Sequence, residues 1–183
     1  MVAPCILSAD SPQWLCRILS SSASHKIMDI LALLRSVSLL QGIPESHLQT
    51  LARSAVAQHY ATGTILFQEN TAHHTFYLVV EGSVALDIQV PRRGPRRVLS
   101  VGPGEILAWS AILGNGMMTT SAMTTVPTSV IAWPAQKLLA ICQADHEVGF
   151  VVMQRIAQAL SRRLTATRLQ MLDMFAEQEP VRS

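Results

Sequence analysis

Between residues 27 and 55 the apolar positions recur at three- and four-residue steps. Ile27, Ile30, Leu31 and Leu34 fall on one face, and this spacing predicts a helix over 27–38. The run 42-GIPESHLQTLARSA-55 reads as a turn and a second helix. Pro44 suits a first helical turn, and Leu48, Leu51 and Ala52 share a face. A long β region follows. In 59-HYATGTILFQEN-70, Gly63 marks a turn and Ile65-Leu66-Phe67 a strand. The stretch 76-FYLVVEGSVALDIQV-90 is two short strands broken at Glu81-Gly82. The loop 91-PRRGPRR-97 leads into 98-VLSV-101, and 122-AMTTVPTSVIAWP-134 supplies two more strands around Pro127. Short strands at close, even spacing predict a mainly β fold. The expected architecture is an antiparallel jelly-roll (double-stranded β-helix) barrel over about 56–134, with helices before it and a long helix after it.

The helical period returns at Ala135, with a short helix to Ala144. Asp145 is placed to cap the next helix, and Glu147 sits in its first turn, facing the positive end of the dipole. That last helix carries Val148, Val152, Ile156, Leu160, Leu164, Met171 and Phe175 as a stripe. It runs past what a barrel needs for cover, so its outer part reads as a seam for a second copy, a homodimer through the 147–175 helix. The alternative is a core-packing helix with a frayed end. Residues 1–24 stand apart from the domain at 25–183. Trp14, Leu15, Ile18 and Leu19 fit one face of a short helix, and 20-SSSAS-24 reads as a linker. A loose tail and a helix docked on the domain or on a partner both stay open.

Composition narrows the function. With 49% apolar and 14% charged residues, the chain has the means for one sizeable core in 183 residues. A net charge of +2 does not argue for nucleic acid or an anionic membrane. No apolar run reaches the roughly 18–20 residues of a span, and 1-MVAPCILSADSPQ-13 lacks the basic start of a secretory signal. Cys5, Cys16 and Cys142 are scattered, which fits reduced thiols and a cytoplasmic setting. The four arginines of 92-RRGPRR-97 read as a solvated loop, or as a patch for phosphates or an acidic partner. Arg155, Arg162, Arg163 and Arg168 read as the wet face of the last helix. His73-His74 lie at a turn with no cysteine or carboxylate close by in sequence, and 145-DHE-147 is explained by capping; no metal site is expected. There is no Ser/His/Asp order, no P-loop and no paired acids in a plausible cleft, so the expectation is a non-enzymatic protein.

The order of elements, with three quoted segments, resembles the cyclic nucleotide-binding domain of the catabolite activator family of bacterial regulators. The segments are 62-TGTILFQEN-70, 77-YLVVEGSVAL-86 and 101-VGPGEIL-107, each similar to a family strand or turn pattern. The resemblance implies a phosphate cassette next. In the family this is a Gly-Glu run opening a short helix, then a short loop, then Arg-Ser/Thr-Ala. Its Glu bonds the ribose, and its Arg neutralises the cyclic phosphate. Here the matching run is Ala108-Trp109-Ser110-Ala111-Ile112-Leu113, and six residues separate it from Thr120-Ser121-Ala122. Reading 104-GEI-106 as the Gly-Glu pair would set Glu105 too far from Thr120. In the accepted register Ala108 replaces the glycine, Trp109 the ribose-binding Glu and Thr120 the phosphate-binding Arg.

Removing one partner of a buried ion pair costs about 3–5 kcal/mol. At about 1.4 kcal/mol per decade, that is roughly two to four decades of affinity. Ser110 as helix cap, the free amides of the short helix and the Ser121 hydroxyl are then the groups left for a ligand. They suit a neutral polar molecule better than cAMP or cGMP held in the usual way. Met117 and Met118 are expected to pack the loop. The expected function is therefore a regulatory module whose pocket takes another small molecule or none. Two alternatives are a cAMP or cGMP sensor with an altered mode, and an interaction scaffold working through its C-terminal helix. Relatives that regulate transcription append a helix-turn-helix. None follows in 176-AEQEPVRS-183, so a stand-alone chain without direct DNA binding is expected.

Overall fold

The computed structural model describes residues 23–176, together with Pro12 and Gln13. The expected helix around Trp14–Leu19 lies outside the described residues, and so do the side chains of 169–176. Helix α1 (Ala23–Ser36) buries Ile30, Leu31 and Leu34. Helix α2 (Glu45–Ser54) follows and buries Leu48, Leu51 and Ala52, and an Arg35–Glu45 ion pair joins the two on the surface. Eight strands come next: β1 (Val56–Tyr60), β2 (Ile65–Phe67), β3 (Thr75–Glu81), β4 (Val84–Val90), β5 (Gly94–Val101), β6 (Ile106–Leu107), β7 (Ser121–Thr124) and β8 (Thr128–Pro134). A short helix α3 (Ser110–Leu113) lies between β6 and β7. Helices α4 (Ala135–Ala144) and α5 (His146–Ala176) end the described chain.

The strands form two four-stranded antiparallel sheets, in the orders β1-β8-β3-β6 and β2-β7-β4-β5. This is the expected jelly roll. The inner faces are dry: Val79, Val84, Val101, Ala122 and Val130 are fully buried, and Ile131 is equally buried on the helix-covered face. The chain passes from the first sheet to the second at the β3–β4 turn. Gly82 has φ +93° there, and a Cβ on it would stand 2.5 Å from the Pro127 carbonyl oxygen. No side chain fits that position.

Two strands differ from expectation. β1 lies at the expected start of the barrel, where the pattern marks no strand of its own; its polar residue His59 is satisfied by a distant partner. His59 is buried and its Nδ1 lies 2.9 Å from the Ser129 hydroxyl across the β1–β8 pair. The arginine loop is shorter than expected. Gly94 already pairs with Val90, so β5 contains Arg96 and Arg97, and Arg97 reaches Asp87 on β4 at 3.3 Å. The turn itself is 91–93, with Arg92 at φ 63°.

Asp145 caps α5 as its sequence foretells: its Oδ1 accepts the N–H groups of Glu147 and Val148, both at 3.1 Å. The inward stripe of α5 is buried at Val148, Val152 and Ile156, half-buried at Leu160 and 53% exposed at Leu164. Trp133 on β8 donates its indole N–H to the Leu51 carbonyl at 3.0 Å, which fastens α2 to the first sheet. Among the described residues no helix is long and apolar enough to cross a membrane.

Candidate functional site

The cassette crosses from the edge of the first sheet to the second. It starts where β6 ends, at Ala108, which has φ 56°. This is the left-handed region that glycine enters freely and other residues at a cost of about 1–2 kcal/mol. The position that the resemblance gives to a glycine thus keeps a glycine-like backbone while carrying a methyl. Trp109 follows in helical conformation, half-buried and packed against the core. Ser110, Ala111 and Ile112 are each 7% exposed.

Of the groups expected to meet a ligand, one is not placed as the sequence suggests and two are committed elsewhere. Trp109, not Ser110, occupies the cap position of α3, and no side chain caps that helix. The helix amides turn inward on their own chain: Ala111 N–H donates to the Ala108 carbonyl at 3.0 Å, and Ile112 and Leu113 N–H to that of Trp109 at 3.0 and 2.9 Å. So short a helix closes on itself and leaves these three amides unavailable to an anion. The Ser121 hydroxyl accepts the Glu69 N–H at 3.0 Å, in a groove that also holds Glu69 and Asp87. Two carboxylates beside a hydroxyl disfavour a phosphate there.

Ala108–Ala111 and Thr120–Ala122 therefore sit on separate elements. The loop between them is pinned to the turn before β3: Asn70 N–H donates to the Met118 carbonyl at 2.8 Å, Met118 N–H to Thr71 at 3.0 Å and His73 N–H to Gly116 at 2.9 Å. Met118 is buried by this zip, whereas Met117 is 41% exposed. Thr120 is half-buried at the entry to β7, and Ala122 is fully buried behind it. Glu105 does not reach into the cassette. Its Oε2 accepts the Gly102 N–H at 2.8 Å and closes the 102–105 turn.

One cation reaches the foot of the cassette from α5, and the wet-face reading of the α5 arginines is corrected for Arg163 and Arg155. Arg163 is half-buried and donates to the Ile106 carbonyl at 3.1 Å, at the foot of the cassette. Burial pushes its pKa down from the usual guanidinium range, and the Glu105 carboxylate opposes that shift. Arg155 donates to the Gln41 carbonyl at 2.8 Å. Arg162 and Arg168 remain exposed. Arg162 and Arg163, with Ser38, Leu99 and Glu105, line a cleft of about 290 Å³ between β5, β6 and α5.

A cyclic nucleotide-binding domain model matches residues 57–145 of this chain. The chain is also similar to a potassium channel, KAT3, of Oryza sativa subsp. japonica, with 26% identity over 143 residues. That match covers 78% of this chain and 28% of the channel, so the chain spans under a third of that relative. Among solved structures it is similar to a cyclic nucleotide-binding domain from Methylobacillus flagellatus (TM-score 0.71, 20% identity, 85% of this chain and 87% of that one). It is similar too to the regulatory subunit of a cAMP-independent protein kinase A from Trypanosoma brucei, solved as a triple mutant bound to cAMP (TM-score 0.65, 16% identity, 81% of this chain and 53% of that one). At these identities the two structures speak for the fold.

Proposed function

We propose that this chain, whose residues 57–145 belong to the cyclic nucleotide-binding domain family, is a non-enzymatic regulatory module that does not take cAMP or cGMP in the usual ribose-and-phosphate mode. The observation carrying this is the uncharged cassette. From Ile106 to Ala122 there is no charged residue, and an indole packed on the core stands where the resemblance places a ribose-binding carboxylate. A cyclic phosphate brought there has no counter-ion and finds the Ala111, Ile112 and Leu113 amides already bonded, so desolvation works against it. The cAMP-bound Trypanosoma brucei protein carries, among its changes, an arginine in place of a threonine, and that exchange can be made here at Thr120. The cassette is left to a neutral polar molecule, or to none. The scattered cysteines support a cytoplasmic setting.

The output runs through α5 as a homodimer. Phe150, Met153, Ala157, Leu160 and Leu164 recur at alternating three- and four-residue steps, and the sequence continues the pattern at Met171. This seam continues outward from the buried Val148, Val152 and Ile156 stripe: Met153 and Leu160 still touch the core, and exposure rises toward Leu164. Phe150 is 68% and Leu164 53% exposed, as a coiled-coil face awaiting its copy would be. Leu160→Glu with Leu164→Glu is expected to convert a dimer to monomer in sedimentation; a monomer before mutation contradicts the seam.

Thermal unfolding tests the ligand claim. A ligand present at 100 times its Kd stabilises by about 2.7 kcal/mol. Millimolar cAMP or cGMP is expected to leave the midpoint unmoved. A second reading rests on the arginine-lined cleft beside α5: an altered mode in which the phosphate turns toward Arg162 and Arg163. Its signature is stabilisation by cAMP that Arg162→Ala abolishes.

A further inference from the structure

The two sheets meet along two seams, because each has two edge strands. The β5/β6 seam leads to the cassette. The opposite seam, between β1 and β2, holds a cleft of about 400 Å³ that the resemblance does not account for. That volume is in the range of small-molecule sites. Tyr77 and Ala132 form its dry floor, 4% and 2% exposed, with Tyr60 beside them at 8%. Gln58, His73 and Thr75 line the walls, with His74 exposed at the edge.

The polar groups of this cleft are organised. The His73 ring stacks on Tyr77 with centroids 5.5 Å apart, and its Nε2 lies 3.1 Å from the Tyr77 hydroxyl. The Tyr60 hydroxyl donates to Gln58 Oε1 at 2.7 Å. The ring of Phe67 tilts onto His73 from behind at 5.2 Å. No Asp, Glu, Lys or Arg lines the cleft. A charged ligand would lose its water there without a counter-ion. Aromatic faces and neutral donor–acceptor groups favour a flat, uncharged ring carrying a polar substituent.

From these features we infer that the β1/β2 cleft is a binding site for an uncharged aromatic small molecule with a hydroxyl or amide-like group. Its occupant touches the same turn, 70–74, that is zipped to the cassette loop through Asn70, Thr71 and His73. Occupancy therefore stiffens the cassette from behind. The inference is independent of the cassette reading, since it needs neither Trp109 nor Thr120.

The test uses 4-fluorophenol as the neutral probe, with 4-fluorobenzoate and 4-fluorobenzylammonium as charged counterparts, followed by fluorine NMR on the full chain. The phenol is expected to bind saturably with a Kd on the order of 1 mM, as suits so small a probe. The charged probes should bind at least tenfold more weakly. Ala72→Trp, which fills the cleft from the 70–74 turn, should abolish saturation while the amide spectrum stays native. Gln58→Ala should weaken binding severalfold. Amide shifts should map to 56–60 and 72–77. Equal binding of charged and neutral probes, undiminished binding to a folded Ala72→Trp variant, or shifts confined to 108–122 would each overturn the inference. Should Ala72→Trp fail to fold, the amide map and Gln58→Ala decide alone.

Discussion

The two seams of this barrel are closed by different chemistry. At β5/β6 the crossing segment is apolar and self-bonded: an indole against the core, amides turned onto their own carbonyls, and one half-buried guanidinium from α5 on the Ile106 carbonyl. At β1/β2 the walls mix apolar side chains with uncharged, hydrogen-bonded polar ones, around a gap that nothing in the described chain fills. The comparison teaches that the two edges of one barrel can differ in kind: one is closed by a self-bonded, uncharged segment, the other is left open beside hydrogen-bonded side chains. What decides is where side chains are already satisfied.

The largest effect should come from restoring charge at the first seam. Trp109→Glu with Thr120→Arg is expected to raise cAMP affinity by about 100-fold or more, from the roughly 3–5 kcal/mol at stake in a buried pair. Calorimetry reads this directly. A double variant that folds but gains nothing would shift the blame from charge to the committed amides and the pinned Ser121.

Next is Gly82→Ala, at the turn that joins the sheets and so serves both seams. A left-handed backbone together with a 2.5 Å approach to Pro127 should cost about 3 kcal/mol or more in urea unfolding. A loss under about 1 kcal/mol would mean that the turn relaxes freely.

Arg163→Met separates the seams. Loss of one charge-assisted hydrogen bond to Ile106 should cost about 1.5–3 kcal/mol. It should speed hydrogen exchange at Ala111–Leu113 and leave Val56–Tyr60 unchanged. Equal acceleration at both seams would show that α5 holds the whole barrel rather than the cassette. The smallest effect is expected from Ala108→Gly, a gain of about 0.5–1 kcal/mol from relieving the left-handed alanine. A loss would mean that its methyl packing outweighs the strain.

Where the signals were local, the sequence was legible. The helix at Ala135–Ala144, the Asp145 cap and the break at Gly82 each depend on a few neighbouring residues, and the structure has them where periodicity and turn chemistry place them. Missed features depended on distant partners. β1 falls inside the expected barrel but the pattern does not single it out as a strand, since the partner of its buried His59, Ser129, lies 70 positions away. β5 was cut short because Gly94 and Pro95 read as turn, though an edge strand tolerates proline at its start. Arg163 was read as wet because its acceptor, the Ile106 carbonyl, lies 57 positions back in the chain. At the cassette, the missing charges were visible in the sequence. The prior commitments of the α3 amides and Ser121 were not, since backbone partners leave no mark in composition.

The central claim is that the cassette has no means of holding a cyclic phosphate. Calorimetric titration of the unmodified chain with cAMP at physiological salt tests it most directly. The account predicts no measurable heat of binding up to millimolar nucleotide; saturable binding in the micromolar range, with Trp109 and Thr120 in contact with the nucleotide, would contradict it.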